Sequence, residues 1–408
     1  LSIAANAMTR ELSEREARDR VAAVALASLP SMTPRRLRTL VRLRRPSDIL
    51  DSLESWRAPS STPTNPVDAL LASTVSRESG RSLGEVWRDA IMAPRDCMSR
   101  DDSPASACDT TFDVCVLGDS QYPQKLANDP EAPGVLFVQG DLGLLDRPCV
   151  GIIGTRHATA HGRSCARHFG NVLSGHGVAV VSGLARGIDV SAHRGVLQRI
   201  DHSPSSLEEL GRPIGVVASG LDVVYPPEHG EVWADVARRG VLLSESPPGT
   251  EPQAFRFPLR NRIIAALCDV LVVVESKVTG GSMITVRAAL ERQVTVMAVP
   301  GSTSTRASDG TNLLIRDGAS IAVEPEDVLA VLGIESHRRI ARFDPRPRPS
   351  SADAEILELL GDDPMTLDQI VSRTQRDLGE VALALGRLEA RGWLMCTAGW
   401  FEKLTDPN

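Results

Sequence analysis

Between residues 135 and 323 the chain alternates short, unbroken apolar runs with stretches of helical spacing. The runs are Val135–Val138, Val150–Ile153, Val178–Val181, Ile214–Val217, Val241–Leu243, Val270–Val274, Val294–Val299 and Ile321–Val323. Most are rich in β-branched residues and lack the polar alternation of a half-exposed strand. Each predicts a strand buried on both faces of a parallel sheet. The helical stretches between them imply a doubly wound, mostly parallel α/β sheet.

The flanks read differently. Leu37, Leu40, Val41 and Leu43 share helical spacing, and Thr33 followed by Pro34 is a sound helix start. A helix-hairpin-helix DNA module would want a glycine in the preceding turn. Leu29-Pro30-Ser31-Met32 has none, so residues 1–58 read as a plain helical packing domain. Residues 59–111, rich in Ser, Pro, Ala and Asp, read as a linker or insert with one helix near Leu83–Ile91. After the 112–333 domain comes an Arg/Pro-rich linker, 334–351. Residues 352–408 read as helices Ala354–Leu360, Leu367–Ser372 and Leu378–Ala390. A hairpin of Trp393–Thr397 and Trp400–Leu404, turning at Ala398-Gly399, completes a winged helix.

Composition narrows the function. The 408 residues carry 45 Lys+Arg against 52 Asp+Glu, a net charge of −7, with 42% hydrophobic residues, as in an ordinary globular protein. Such a chain repels polyanions in bulk, so any nucleic-acid site must be a local cluster of cations. Nearly all the cations are Arg, whose planar fork suits phosphate. No run approaches the roughly 18–20 apolar residues a membrane span needs. Val21–Ala27 follows Glu11, Glu14, Glu16 and Asp19, where a secretion signal carries positive charge, so it reads as helix core and the chain as cytoplasmic. The seven cysteines are scattered without a C-x-x-C pair, and the histidines show no ligand spacing with them. Reduced thiols, no metal and no cofactor are expected.

Candidate chemistry gathers at the carboxyl ends of the strands. Gly154-Thr155-Arg156 follows the Val150–Ile153 run and precedes a helix, a place where free N–H groups and an Arg fork can take an anion. It lacks the G-x-G-x-x-G spacing of a dinucleotide site. Ser182-Gly183-Leu184-Ala185-Arg186-Gly187-Ile188-Asp189 forms a second glycine turn. There Asp189 reads as a helix cap, and His193, one turn on, as its structural hydrogen-bond partner. Phe255-Arg256-Phe257-Pro258-Leu259-Arg260-Asn261-Arg262 interleaves aromatics with Arg. Two readings stand for it: a single-strand nucleic-acid surface, or a helix start whose Phe residues enter the core while Arg260 and Arg262 pair with acids. Lys277 and the Gly280-Gly281-Ser282 turn add a further phosphate cradle. Together these turns describe a phosphate-binding rim along one sheet edge.

Read in order, residues 122–322 resemble the DNA processing protein A (DprA/Smf) family. The resemblance rests on Tyr122-Pro123, Gly154-Thr155-Arg156, the Ser182–Asp189 turn with His193, and Gly220-Leu221-Asp222 with Tyr225-Pro226. It continues through Ser244-Glu245, Phe257–Ile264, Gly281-Ser282 with Thr285, Pro300-Gly301 and Gly310-Thr311-Asn312. The resemblance implies an extended Rossmann-like domain flanked by a small N-terminal helical (SAM-like) domain and a C-terminal winged helix. It implies a non-enzymatic homodimer that binds and protects single-stranded DNA and loads RecA during natural transformation or recombination. By the same resemblance Arg156, Arg186, Arg260 and Arg262 are the single-strand contacts, with Gly154, Thr155, Ser182, Gly183, Asn261, Lys277, Gly281 and Ser282 beside them.

Two departures stand out. Val286 falls where the family usually has Ala, and its branched side chain is expected to alter packing there. Residues 352–408 hold eleven acids against five bases, so this winged helix reads as a protein-interaction or packing module. The rival reading is a phosphoribohydrolase of the lysine-decarboxylase-like (LOG) type. That family's P-G-G-x-G-T-x-x-E turn has its nearest counterpart at Thr279–Arg287, which lacks the Glu. A nucleotide-sensing regulator acting through the winged helix is a third.

Overall fold

The computed structural model describes residues 2–57, 63, 65–73, 80–92, 112–203, 205–334, 346, 347, 349–360, 365–397 and 399–404. Much of the 59–111 insert, most of the 334–351 linker and Ala398 lie outside the described residues. The chain divides into two compact units, Leu1–Ser336 and His337–Asn408.

The first unit begins with α1 (Ser2–Ala27), α2 (Pro34–Leu43), α3 (Pro46–Glu54), α4 (Pro66–Ala72) and α5 (Leu83–Met92). Thr33 caps α2 as its sequence demands, its Oγ1 accepting from the Arg36 N–H at 3.2 Å. The turn before it is made without glycine, by Ser31 at φ 58°. Leu26, Leu40, Ile49, Leu53, Leu71 and Trp87 meet in one core, and the Trp87 Nε1–H donates to the Pro30 carbonyl at 2.8 Å. Helices α4 and α5 therefore belong to this core although they fall within the insert. The short α4 shows too little periodicity to be read, and only its Asn65 cap and Pro66 start announce it.

The sheet follows: β1 (Asp113–Val116), α6 (Gln124–Ala127), β2 (Val135–Gly140), β3 (Cys149–Ile153), α7 (Ala160–Gly175), β4 (Ala179–Ser182), α8 (Ile188–His202) and β5 (Pro213–Val217). Then come α9 (Gly230–Arg239), β6 (Val241–Ser244), α10 (Arg256–Leu267), β7 (Val270–Val273), α11 (Ser282–Glu291), β8 (Thr295–Ala298), α12 (Asp309–Arg316), β9 (Ser320–Ile321) and α13 (Pro325–Val331). The nine strands lie in the order β1-β2-β6-β5-β4-β3-β7-β8-β9. From β6 to β9 every neighbouring pair is parallel, with Val150 opposite Val270 and Ile153 opposite Val273 at the centre. The antiparallel pair β1 and β2 extends the sheet beyond β6. Strand β1 carries its own apolar run, Val114–Leu117, but it lies ahead of the strand–helix alternation that marks the other strands.

Helices cover both faces. Phe169 and Leu173 of α7 and Val196 of α8 pack on Val150, Ile152 and Val272. On the other face Ile263 and Ile264 of α10 and Val286 of α11 pack on Ile153, Val181 and Val273. Val286 is accommodated there with 2% exposure. The N-terminal helices share a core with Val135 and Phe137 of β2.

The second unit holds α14 (Ser351–Leu360), β10 (Met365–Thr366), α15 (Leu367–Thr374), α16 (Leu378–Ala390), β11 (Leu394–Thr397) and β12 (Trp400–Lys403). Its antiparallel sheet, in the order β10-β12-β11, closes over Ile356, Ile370, Leu385 and Leu388. The Arg387 guanidinium is bound to buried Asp353 at 2.6 Å, which commits a cation of α16 to its own unit. Arg346, from the linker, lies 3.9 Å from the Trp393 ring centroid.

Candidate functional site

Strand order reverses between β3 and β7. From β3 the chain winds through β4, β5 and β6 in one direction, and from β7 through β8 and β9 in the other. Loops leaving two such strands diverge, and ligands bind in the crevice they leave. A groove of ≈ 580 Å³ lies there. Gly154, Thr155, Arg156 and His157 line it from the loop after β3. Lys277, Gly281 and Ser282 line it from the segment between β7 and α11, and Phe257, Arg260 and Asn261 from α10.

The loop after β3 is held from below. The Thr155 N–H donates to the Glu275 carbonyl at 2.7 Å. The buried Glu275 carboxylate accepts the Thr159 N–H at 2.9 Å and the Thr159 hydroxyl at 2.5 Å, while Thr159 caps α7. Gly187 closes the other side at φ 79°, where a Cβ would stand 2.3 Å from the Thr155 carbonyl oxygen. The positioning role of Glu275 is not evident from the motifs. Its signal is a carboxylate at the end of the wholly apolar Val270–Val274 run.

Arg156 is exposed, with its guanidinium carbon 4.7 Å from the Phe257 ring centroid. Phe257 in turn tilts against Tyr225 at 5.7 Å between centroids. The contact holds the guanidinium as a flat, preorganised surface. Its fork matches a phosphate and its plane matches a base. Lys277 is also exposed, and α11 starts at the groove with Ser282, whose buried Oγ bonds the Ser276 Oγ at 2.7 Å. Exposed cations beside a helix start suit a bound anion.

Arg260 lies deeper, with 6% exposure. It donates to the carbonyls of Gly183, at 2.7 Å, and Val216, and its Nε donates to Asn261 Oδ1 at 3.2 Å. Burial lowers its pKa to about 10, so it remains a cation at neutral pH. Burial pushes the neighbouring Asp189 up to about 6, against the pull of Arg260, the Ala185 and Gly183 N–H groups and Arg156. Asp189 is not the cap that its sequence suggests. Gly187 occupies that position, and the carboxylate turns back onto the preceding loop. The expected Asp189–His193 hydrogen bond does not form either. His193 is fully buried, interacts with the Ser182 backbone, and is pushed down to about 4 by desolvation.

Gly183 and Arg186 border an adjoining notch with Tyr225 and Phe257. The exposed Arg186 is paired with Glu228, whose carboxyl it holds down at about 2. Two expected residues turn away from the groove. Ser182 is buried and donates to the Ile152 carbonyl at 2.6 Å. Arg262 binds both oxygens of Glu245, at 2.6 and 2.5 Å, and also the Glu131 carbonyl. The correction has a simple cause: residues two apart on a helix face different sides, so Arg260 and Arg262 cannot both face one groove. The interleaved segment departs from the packing reading: Arg262 pairs with an acid, but Arg260 binds carbonyls, Phe255 is exposed and Phe257 lines the groove.

Among the described residues no group of three or more His, Cys, Asp or Glu is placed to hold a metal ion. No helix among them is long and apolar enough to cross a membrane.

Residues 113–333 match the family described as DNA recombination-mediator protein A, and residues 342–399 match the DprA winged helix domain. Protein Smf of Escherichia coli K12 is 34% identical over 290 residues, covering 69% of this chain and 75% of that protein. The DNA processing protein DprA of Bacillus subtilis is 39% identical over 217 residues, 53% of this chain and 70% of that protein. The X-ray structure of DNA processing protein A from Streptococcus pneumoniae superposes with a TM-score of 0.57 at 27% identity, covering 78% of this chain and 99% of that one.

Proposed function

The chain belongs to the DNA recombination-mediator protein A family, and we propose that it binds single-stranded DNA and loads RecA onto it. The observation that carries this reading is the exposed Arg156 guanidinium stacked on Phe257 at the strand-order reversal, with Lys277 across the groove. A phosphate meets the fork and the helix start, while a base of any identity meets a flat π surface. Binding is therefore independent of sequence and sensitive to salt. The contacts are Arg156, Lys277, Asn261 and the Gly154-Thr155 and Gly281-Ser282 turns, with Arg260 beneath them and Arg186 at the notch.

The protein acts as a homodimer, which sets two grooves on one strand and raises avidity without new contacts. Exposed Leu290, Ile321 and Val323, toward the far edge of the sheet, support self-association. The setting is the cytoplasm, where RecA and a single strand meet during transformation or recombination. The free cysteines of the described residues fit a reducing compartment. The acidic winged helix takes a protein rather than DNA as its partner.

The reading is non-enzymatic. Glu275 is committed to Thr159, and Asp189 to the backbone of its own turn. Two assays test it. The protein should let RecA form filaments on single strands already coated by a single-strand-binding protein, and should release no free base from nucleoside monophosphates. Release of base would favour the phosphoribohydrolase instead, and failure to accelerate filament formation would remove the loading role.

A further inference from the structure

The crevice continues past the groove along the carboxyl ends of the strands. The groove shares Arg156, Tyr225 and Phe257 with the adjoining notch. The notch shares Val217 and Ala218, at the end of β5, with a further cavity of ≈ 260 Å³. Arg260 borders all of these hollows. The cavity lies beyond the ends of β5 and β6, and its opposite wall is the N-terminal helical module, through Ser28 at the end of α1 and Met32 and Thr33 before α2.

The charges on its walls are unequal. Glu245 reaches the cavity but is neutralised by the two-oxygen contact with Arg262. Arg256, the first residue of α10, has no such acid among the described residues. Its Nη1 donates to Ser246 Oγ at 3.3 Å, and its Nε–H is buried and meets no acceptor among the described residues. The guanidinium on the cavity wall is thus a cation with no ion-pair partner among the described residues, and a phosphate seated against it gains a charge-assisted contact. The cavity is therefore cationic, polar on one side, and continuous with a groove already suited to phosphate.

We propose that this cavity is a second subsite for the single strand, seating a backbone phosphate on Arg256 beneath the turn from α1 to α2. The inference rests on the single-strand reading of the groove and deepens it. The strand then crosses the sheet edge from β3 and β7 toward the N-terminal helices, a path of about three strand spacings, or about 14 Å. The helical module becomes one wall of the DNA path rather than a separate packing unit.

The test uses the full chain and fluorescein-labelled oligothymidylates of two lengths, one short enough to fill only the groove and one long enough to cross to the cavity. Arg256→Gln should weaken the long oligonucleotide about tenfold, the loss of one charge-assisted contact. It should also reduce the salt slope by about 0.7, as for one phosphate on a single strand, and leave the short one unchanged. Ser28→Glu and Ser28→Arg alter charge at the exposed rim of the helical wall. The first should weaken and the second tighten the long oligonucleotide, and tightening cannot arise from misfolding. Unchanged affinity and salt slope for the long oligonucleotide in all three variants would overturn the subsite. A wild-type protein that binds neither length would instead overturn the single-strand reading, and the subsite with it.

Discussion

One guanidinium nitrogen of Arg262 binds both carboxylate oxygens of Glu245, at 2.6 and 2.5 Å, with both side chains at or below 10% exposure. This pair joins α10 to the end of β6, and it explains a cation in the R-N-R segment without any role for DNA. Removing one partner leaves a buried, uncompensated charge. Arg262→Met should therefore cost about 3–5 kcal/mol of stability in urea denaturation, while the folded variant keeps its affinity for an oligonucleotide short enough to fill only the groove. Adding Glu245→Leu should recover much of the loss. A loss of binding with stability intact would return Arg262 to the groove.

Arg156 should behave in the opposite way. Arg156→Ala should weaken single-strand binding by about 1–3 kcal/mol, as for a charge-assisted contact, with little change in melting temperature because the side chain is exposed. Phe257→Leu removes the ring beneath the guanidinium and should cost a smaller ~0.5–1 kcal/mol of binding. Isothermal titration of the two variants and their double mutant checks the coupling: if Arg156 acts through its stack, the double mutant loses less than the sum.

On the proposed reading, Asp189 should make single-strand binding depend on pH. Its pKa is raised to about 6 by burial, so in acid below that value it is neutral and the groove loses a negative charge. Single-strand affinity should rise as pH falls through about 6, and Asp189→Asn should flatten that part of the profile. The stability change carries the same sign. Between the unfolded value near 3.8 and about 6 the native state holds more protons, so this group makes folding less favourable as pH rises through that window. A wild-type profile that Asp189→Asn leaves unaltered would show that the carboxyl does not face the bound strand.

On the proposed reading, Glu228 should compete with DNA for Arg186. The two form an exposed ion pair at the notch, and exposed pairs are weak and easily exchanged. Glu228→Gln should free the guanidinium and tighten single-strand binding up to about fivefold, most clearly at low salt. Anisotropy titration of this variant against Arg186→Ala gives the sign directly. Weaker binding in Glu228→Gln would mean that the carboxylate positions Arg186 instead of sequestering it.

The parallel sheet was legible because its strands are buried on both faces, and an unbroken apolar run such as Val270–Val274 has few other readings. Strand β1 was not, because it precedes the strand–helix alternation, and helix α4 was not, because its seven residues show too little period. The glycine turns pointed to the groove for a similar reason: Gly187 leaves no room for a Cβ beside Thr155, which lines it. What the motifs could not separate was the fate of neighbouring cations. Arg260 borders the groove and Arg262 leaves it by helical phase, and the partner of Arg262, Glu245, lies seventeen residues away in sequence. Likewise Glu275 is one carboxylate among many until the fold sets it under Thr159.

The most direct test of the account is fluorescence anisotropy of the full chain with matched single-stranded and duplex oligonucleotides across a salt series. A local groove of cations and aromatic faces on a net-acidic protein should bind the single strand more tightly than the duplex. Its affinity should fall with salt by a log–log slope of about 0.7 for each phosphate contacted. Equal affinity for the duplex, or single-strand affinity indifferent to salt, would contradict it.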